Sequence, residues 1–146
     1  MEILNVNYSG YTDGAKAPVI VLPTCKGIMV IPVHQIIRIQ SISNYSKLFF
    51  SSGKSLIVAK VLRWFGEQSA LSSFVRVHRT HFINTNYIKS YSGNKAGLLF
   101  LQNGEIISVA KRKKASLAER LHNLNNSFAG EPAYASIFNT KKIWTA

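Results

Sequence analysis

Residues 98–109, LLFLQNGEIISV, decide the fold class of this chain. The apolar run Leu98–Leu101 leads into Gln102-Asn103-Gly104, and Glu105–Val109 follow as a second, mostly apolar run. An Asn-Gly pair tolerates the positive φ angles that tight hairpin turns require. The stretch therefore predicts two antiparallel strands joined by a short turn.

Upstream of this hairpin, the chain consists mainly of short apolar runs separated by polar or glycine-containing turns. The runs are Val19–Leu22, Ile28–Val33, Ile36–Ile42, Ser46–Phe50, Ser55–Val58 and Phe74–Val77, with further apolar pairs at Phe82-Ile83 and Tyr87-Ile88. Runs of this length with many β-branched residues are typical of antiparallel strands. We therefore expect a mainly β fold made of small antiparallel sheets.

Two segments fit a helical pattern better than a strand pattern. Leu62 and Phe65 belong to an irregularly spaced apolar set that predicts a short helix over residues 59–69. Leucines also recur at helical intervals from Leu117 to Leu124. The fold should therefore contain one or two short helices beside its sheets.

The chain length of 146 residues fits one compact domain with short tails. Residues 1–17 mix Gly, Asn, Ser and Tyr without a sustained period, so we expect an N-terminal lead-in. The folded domain then spans residues 18–122, and residues 123–146 form a C-terminal tail. Because Trp144 and its apolar neighbours would be unfavourable in water, we expect the tail to pack on its own domain or on a second copy.

The charge balance of the chain is strongly basic. Lys and Arg number 18 and Asp and Glu number 6, which gives a net charge of +12. Such a surplus indicates a polyanionic partner, with nucleic acid first and an anionic membrane second. The sequence shows no signal-peptide pattern and no apolar run of about 18 residues. Its single cysteine, Cys25, excludes an intramolecular disulfide. We therefore expect a cytoplasmic protein whose partner is nucleic acid rather than a membrane.

The residues needed for catalysis are scarce in this sequence. The acidic residues are few and far apart, and Asp13 is the only aspartate. A catalytic pair of carboxylates is therefore not expected. His78 and His81 would lie on opposite faces of a strand, which does not suit a shared metal ion. Glycine-rich phosphate-binding motifs are absent. We expect neither enzyme activity nor a metal ion or other cofactor.

Three polar, mostly basic clusters remain as candidate binding residues. They are Asn44, Ser46 and Lys47 in the first cluster, His78 and Arg79 in the second, and Lys111, Arg112, Lys113 and Lys114 in the third. Hydrogen-bonding side chains and cations of this kind bind base edges and phosphates. Each cluster also has a structural alternative, namely a polar turn, a pair of hydrogen-bonded histidines, and a solvated basic face.

The third cluster gives the strongest functional signal. It lies where the last predicted strand ends and the leucine-patterned helix begins. A helix N-terminus carries partial positive charge, so each cation placed there is unfavourable by roughly 0.3 kcal/mol or more. A bound phosphate would pair with the cations and with the free N–H groups of the helix. The position of this cluster therefore favours an anionic ligand.

The segment FVRVHRTHFIN at residues 74–84, together with Asn103-Gly104 and ISVAKR at residues 107–112, resembles the LytTR family of bacterial DNA-binding domains. The segment IQSISNYS at residues 39–46 is similar to the first sequence block of that family. The resemblance covers about residues 17–122 in one order. It implies small antiparallel sheets in an elongated β-β-β arrangement. It also implies a transcriptional regulator whose loops enter successive major grooves of double-stranded DNA.

The resemblance further implies which residues contact bases. They are Ser46 and Lys47 in the first loop, Arg79 beside His78 in the second, and Arg112 beside Lys111 in the third. Two positions depart from the family pattern, because Ala110 stands where Ser is usual and His81 stands where an aromatic residue is common. Such domains usually follow a phosphate-accepting receiver domain. With Asp13 as its only aspartate, this chain is not expected to be regulated by its own phosphorylation.

Two other function classes stay open. A small RNA-binding β-domain would suit the charge, although Tyr45 is the one aromatic residue interleaved with the basic clusters. A basic protein-interaction module would instead bind an acidic partner protein. Double-stranded DNA, bound by one copy or by a second copy on a repeated site, is the partner that we expect first.

Overall fold

A computed structural model of the protein describes residues 17–94 and 97–126. The expectations for the N-terminal lead-in before residue 17, and for Trp144 in the tail, concern residues outside these ranges. The fold divides into two compact units. The first unit ends at Asn86, and the second unit begins at Tyr87.

The described part of the first unit is mostly β. Its strands are β1 (Val19–Thr24), β2 (Gly27–Pro32), β3 (Ile36–Ile42), β4 (Tyr45–Phe50), β5 (Ser55–Val58), β6 (Phe74–His78) and β7 (His81–Asn84). β1 and β2 form a two-stranded antiparallel sheet, and the others form an antiparallel sheet with the order β5-β4-β3-β7-β6. The prediction of small antiparallel sheets is therefore confirmed.

The strand β3 lies in the middle of the five-stranded sheet, and its register fixes what lies at each end. Ile42 at the end of β3 pairs with Tyr45, while Gln40 pairs with Lys47 on one side and with His81 on the other. The starts of β4 and β7 therefore lie beside the end of β3. We call this end of the sheet, where β3 finishes and β4 and β7 begin, the Ile42 end.

The core of the first unit follows from the two-residue period of its strands. In β1, Ile20 and Leu22 are buried while Val21 is 51% exposed, and in β4, Leu48 and Phe50 are buried. The helix α1 (Leu62–Gly66) adds Leu62 and Phe65 to this core. α1 is shorter than the predicted helix over residues 59–69, because its N-cap residue is extended and the next 3₁₀ turn begins only at residue 69.

The end of the sheet opposite the Ile42 end is stabilised by the buried side-chain amide of Asn84. Asn84 is fully buried, and its Nδ2 donates to the Ile36 carbonyl oxygen at 2.9 Å. Its Oδ1 accepts from the Asn86 N–H at 3.1 Å and lies 3.3 Å from the Ser73 hydroxyl. These bonds satisfy the buried amide and tie β7 to the start of β3.

The second unit contains the hairpin predicted from residues 98–109. Its strands are β8 (Ile88–Ser92), β9 (Leu98–Leu101) and β10 (Ile106–Ser108), in the antiparallel order β10-β9-β8. Gly104 has a φ of 93°, and the Asn103 side chain accepts from the Glu105 N–H at 3.0 Å, as the Asn-Gly pair predicts.

A 3₁₀ turn (Lys111–Lys113) follows β10 and continues directly into the helix α2 (Lys114–Asn126). Leu117 and Leu121 of α2 are buried, as the helical leucine pattern predicts. α2 runs past residue 122, where the folded domain was expected to end. Neither of the described helices is long and apolar enough to cross a membrane.

Candidate nucleic-acid interface

Two tight turns lie side by side at the Ile42 end of the sheet. Ser43 and Asn44 connect β3 to β4, and Arg79 and Thr80 connect β6 to β7. The backbone N–H of Ser41, near the end of β3, donates to the Thr80 carbonyl oxygen at 2.9 Å, which holds the second connection beside the end of β3. The structure therefore brings together the first and second clusters, which are more than thirty residues apart in the sequence.

The first turn presents polar and aromatic side chains. Ser43 adopts a φ of 55°, which is the left-handed conformation that a two-residue hairpin turn requires. Asn44 and Tyr45 are both exposed. Lys47 is half-buried, and its Nζ lies 5.1 Å from the centroid of the Phe49 ring. Asn44 and Lys47 are therefore placed where a ligand at the Ile42 end would meet them.

Ser46 does not fit the direct base contact that the family resemblance implies. Its side chain is fully buried, and its hydroxyl donates to the Lys60 carbonyl oxygen at 2.6 Å. The two-residue period of β4 explains this position, because Ser46 shares the inward face with Leu48 and Phe50. We therefore assign Ser46 to holding the start of β4 rather than to the contact surface.

The second turn is braced by the Arg76 side chain, which bonds to its backbone. The Arg76 Nε donates to the His78 carbonyl oxygen at 3.0 Å, and Nη2 donates to the Arg79 carbonyl oxygen at 2.6 Å. Hydrogen bonds from a charged group are stronger than neutral ones, so they fix the course of the backbone here. Burial lowers the pKa of Arg76 from its ordinary value, but a guanidinium group keeps its charge in proteins.

Arg79, at the tip of this turn, is exposed. Within residues 17–94 and 97–126, its guanidinium group has no hydrogen-bond or ion-pair partner. Its five donors are therefore available to a ligand from a backbone that Arg76 holds in place.

His78 contributes to the same turn through one ring nitrogen. Its Nδ1 accepts from the Thr80 N–H at 3.2 Å and lies 2.9 Å from the Thr80 hydroxyl oxygen. A neutral imidazole that accepts at Nδ1 carries its proton on Nε2. His78 thus has the structural role that the alternative interpretation gave it, and it retains one donor, Nε2–H.

The third cluster lies in the second unit, at the start of α2. Lys111 and Arg112 are exposed, while Lys113 and Lys114 are half-buried. Neither the 3₁₀ turn nor the first turn of α2 contains an acidic residue. Ala110 precedes the turn in an extended conformation and makes no side-chain capping bond. The helix start is therefore basic and uncapped, as the sequence predicts.

The charge of the described first unit is almost entirely of one sign. Between residues 17 and 86 its cations are Lys26, Arg38, Lys47, Lys54, Lys60, Arg63, Arg76 and Arg79. Glu67 is the only acidic residue in that range, and its carboxylate lies 3.6 Å from Arg63 in an exposed pair. The electrostatic potential of this unit therefore favours an anionic ligand.

The sequence alone did not identify the roles of Arg76 and Lys60. Arg76 stands between two buried valines, Val75 and Val77, on a strand that leads into a polar turn. A cation in such a position signals a local hydrogen-bonding role, because a half-buried charge needs partners. Lys60 gives no comparable signal, because its position beside Ser46 depends on the pairing of β4 with β5.

Comparison with known proteins identifies a family and a fold for this chain. The family model of the LytTr DNA-binding domain matches residues 26–122 of the chain. A similar solved structure is the LytTr DNA-binding domain of a protein described as a methyl-accepting/DNA response regulator from Bacillus cereus. It is 24% identical, with a TM-score of 0.58, and the match covers 73% of this chain and 97% of that chain.

A search of curated proteins finds no match to the sequence. The solved structure shares the fold, and the matched segment of the family model, residues 26–122, spans β2 to β10 and most of α2. That segment also contains all three clusters of candidate binding residues. The chain therefore belongs to the LytTR family of DNA-binding domains.

Proposed function

We propose that this protein is a transcriptional regulator that reads a specific sequence in duplex DNA. The two turns at the Ile42 end, and the basic start of α2, each enter a major groove. The observation that carries this proposal is Arg79, an exposed cation whose side chain has no partner among residues 17–94 and 97–126. It stands on a turn whose backbone is braced by Arg76 and hydrogen-bonded through Thr80 to Ser41, near the end of β3. Duplex DNA in a bacterium is met in the cytoplasm, which is the location expected from the sequence.

Within this proposal the side chains divide into two roles. Arg79 and Arg112 read bases, because a guanidinium group bonds bidentately to guanine O6 and N7. Asn44 is suited to adenine, and the Nε2–H of His78 is suited to a base or phosphate acceptor. Lys47, Lys111, Lys113 and Lys114 neutralise phosphates, which adds affinity without reading sequence. The charge of these lysines suits any duplex.

Selection from a random duplex library with the purified protein tests the proposal. We expect an enriched motif, and binding to it should then be compared with binding to an unrelated duplex. Arg79→Ala and Arg112→Ala should each reduce discrimination between the two duplexes by about 1–3 kcal/mol. Lys113→Ala should weaken both duplexes alike. Fluorescence anisotropy titrations measure all of these affinities.

Three results would contradict parts of this proposal. If all three variants lost affinity equally for both duplexes, the division into base-reading and phosphate-binding side chains would be wrong. Tighter binding to single-stranded RNA than to any duplex would favour the RNA-binding alternative. If a titration shows one protein per duplex even when the selected site is repeated, the expectation that a second copy binds is wrong.

A further inference from the structure

A groove lies beside the first turn of the interface, between the two sheets of the first unit. One wall is the tip of the β1–β2 hairpin, with Thr24 and Cys25, and the other wall includes Tyr45, Ile57 and Lys60. The groove is partly open to solvent and has a volume of about 410 Å³. Tyr45 follows Asn44 directly, so this wall of the groove begins next to the first turn.

The hairpin tip on one side of the groove has a fixed shape. The Thr24 hydroxyl donates to the Gly27 carbonyl oxygen at 2.7 Å and accepts from the Lys26 N–H at 3.2 Å. Lys26 is exposed at this tip, next to Cys25 in the groove wall. The tip therefore presents one cation from a braced turn.

Lys60 on the other side is also held in place. Its carbonyl oxygen accepts the Ser46 hydroxyl at 2.6 Å, and its Nζ lies 4.8 Å from the centroid of the Trp64 ring. A cation over an indole ring is attracted to it electrostatically, which reduces the number of conformations that the side chain samples. Lys60 therefore lines one wall of the groove from a restrained position, and the exposed Lys26 directly follows Cys25 of the opposite wall.

We propose that this groove holds one strand of the sugar–phosphate backbone of the duplex read by the two turns, with Lys26 and Lys60 on its phosphates. The inference rests on the proposed function and adds a contact that the three clusters do not include. The occupant follows from charge and shape. None of the described residues that line the groove is acidic. Ile57 and Tyr45, which are 57% and 50% exposed, offer apolar surface to deoxyribose carbons.

Titration of Lys26→Ala, Lys60→Ala and the double variant against the selected duplex and an unrelated duplex tests the inference. We expect the double variant to lose affinity roughly tenfold on both duplexes at moderate salt. Its log–log salt slope should be shallower by about 2, because two phosphate contacts are lost. Lys54→Ala is the matched control. Lys54 is an exposed lysine in the turn between β4 and β5, at the end of the sheet opposite the Ile42 end. It should leave both quantities unchanged.

Cys25 provides a second measurement that does not depend on mutation. It is the only cysteine of the chain, it is exposed, and it lines the groove. A maleimide should label it several-fold more slowly when a saturating duplex is bound than in the free protein. Thermal melting of each lysine variant should match that of the wild type.

The outcomes separate this inference from the function on which it rests. If the wild type binds duplex while the double variant keeps the same affinity and slope, and Cys25 is labelled equally fast in the complex, the groove is empty and only this inference fails. If the wild type binds no duplex at all, the proposed function fails and the groove contact fails with it.

Discussion

The hydroxyl of Ser46 points inward, and its hydrogen bond to the Lys60 carbonyl oxygen joins β4 to the segment that follows β5. Ser46→Ala leaves the half-buried Lys60 carbonyl oxygen without that partner. We expect the free energy of unfolding to fall by about 1–3 kcal/mol, measured by urea denaturation. Ser55→Ala, at an exposed position of β5, is the control and should stay within about 0.5 kcal/mol of the wild type.

The same variant separates the two interpretations of Ser46. A structural role predicts lower stability, with duplex affinity largely recovered at temperatures where the variant is folded. A loss of affinity for the selected duplex without any change in stability would restore the base contact that the family resemblance implies.

At the scale of single elements, the start of α2 is uncapped where it is most basic. Ala110 has the extended backbone of an N-cap residue but no side-chain acceptor for a free N–H group. Ala110→Ser supplies one, and we expect the unfolding free energy to rise by about 1 kcal/mol. Ala118→Ser, placed inside the helix, should instead lower it by about 0.5 kcal/mol because serine is a poorer helix former.

Thermal or urea unfolding of the two serine variants checks this prediction. A stability increase for both variants would show that the gain comes from somewhere other than the cap. Duplex affinity should remain close to that of the wild type for Ala110→Ser, since the cations at the helix start are unchanged.

Local sequence predicted the elements of this fold better than the roles of its side chains. The turns at Asn44 and at Asn103-Gly104 follow from residues that tolerate positive φ or bond to their own backbone, so the strands around them were predictable. The buried position of Ser46 was also available from the period of β4. The hydrogen bonds from Arg76 to the second turn could not be predicted. The carbonyl oxygens that accept them face the Arg76 side chain only after β6 turns back into β7.

At the scale of the whole molecule, the positive charge sets the salt dependence of binding. The six cations at positions 47, 79, 111, 112, 113 and 114 all offset the negative charge of the duplex, whether they contact bases or phosphates. Together they would be equivalent to about five neutralised phosphates, which gives a log–log slope near −4 to −5. Lys26 and Lys60 should steepen it toward about −6. Titrations at several salt concentrations measure the slope, and a value near zero would exclude nucleic acid as the partner.

The brace beneath the second turn has a consequence for how such a regulator changes over time. Arg76 holds main-chain oxygen atoms, which every amino acid carries, so the path of the turn does not depend on which side chain stands at position 79. Under the proposed function, exchanging that one side chain would change the base edge that is recognised while the scaffold stays folded. A single substitution at position 79 would then give the regulator a new operator without a new architecture.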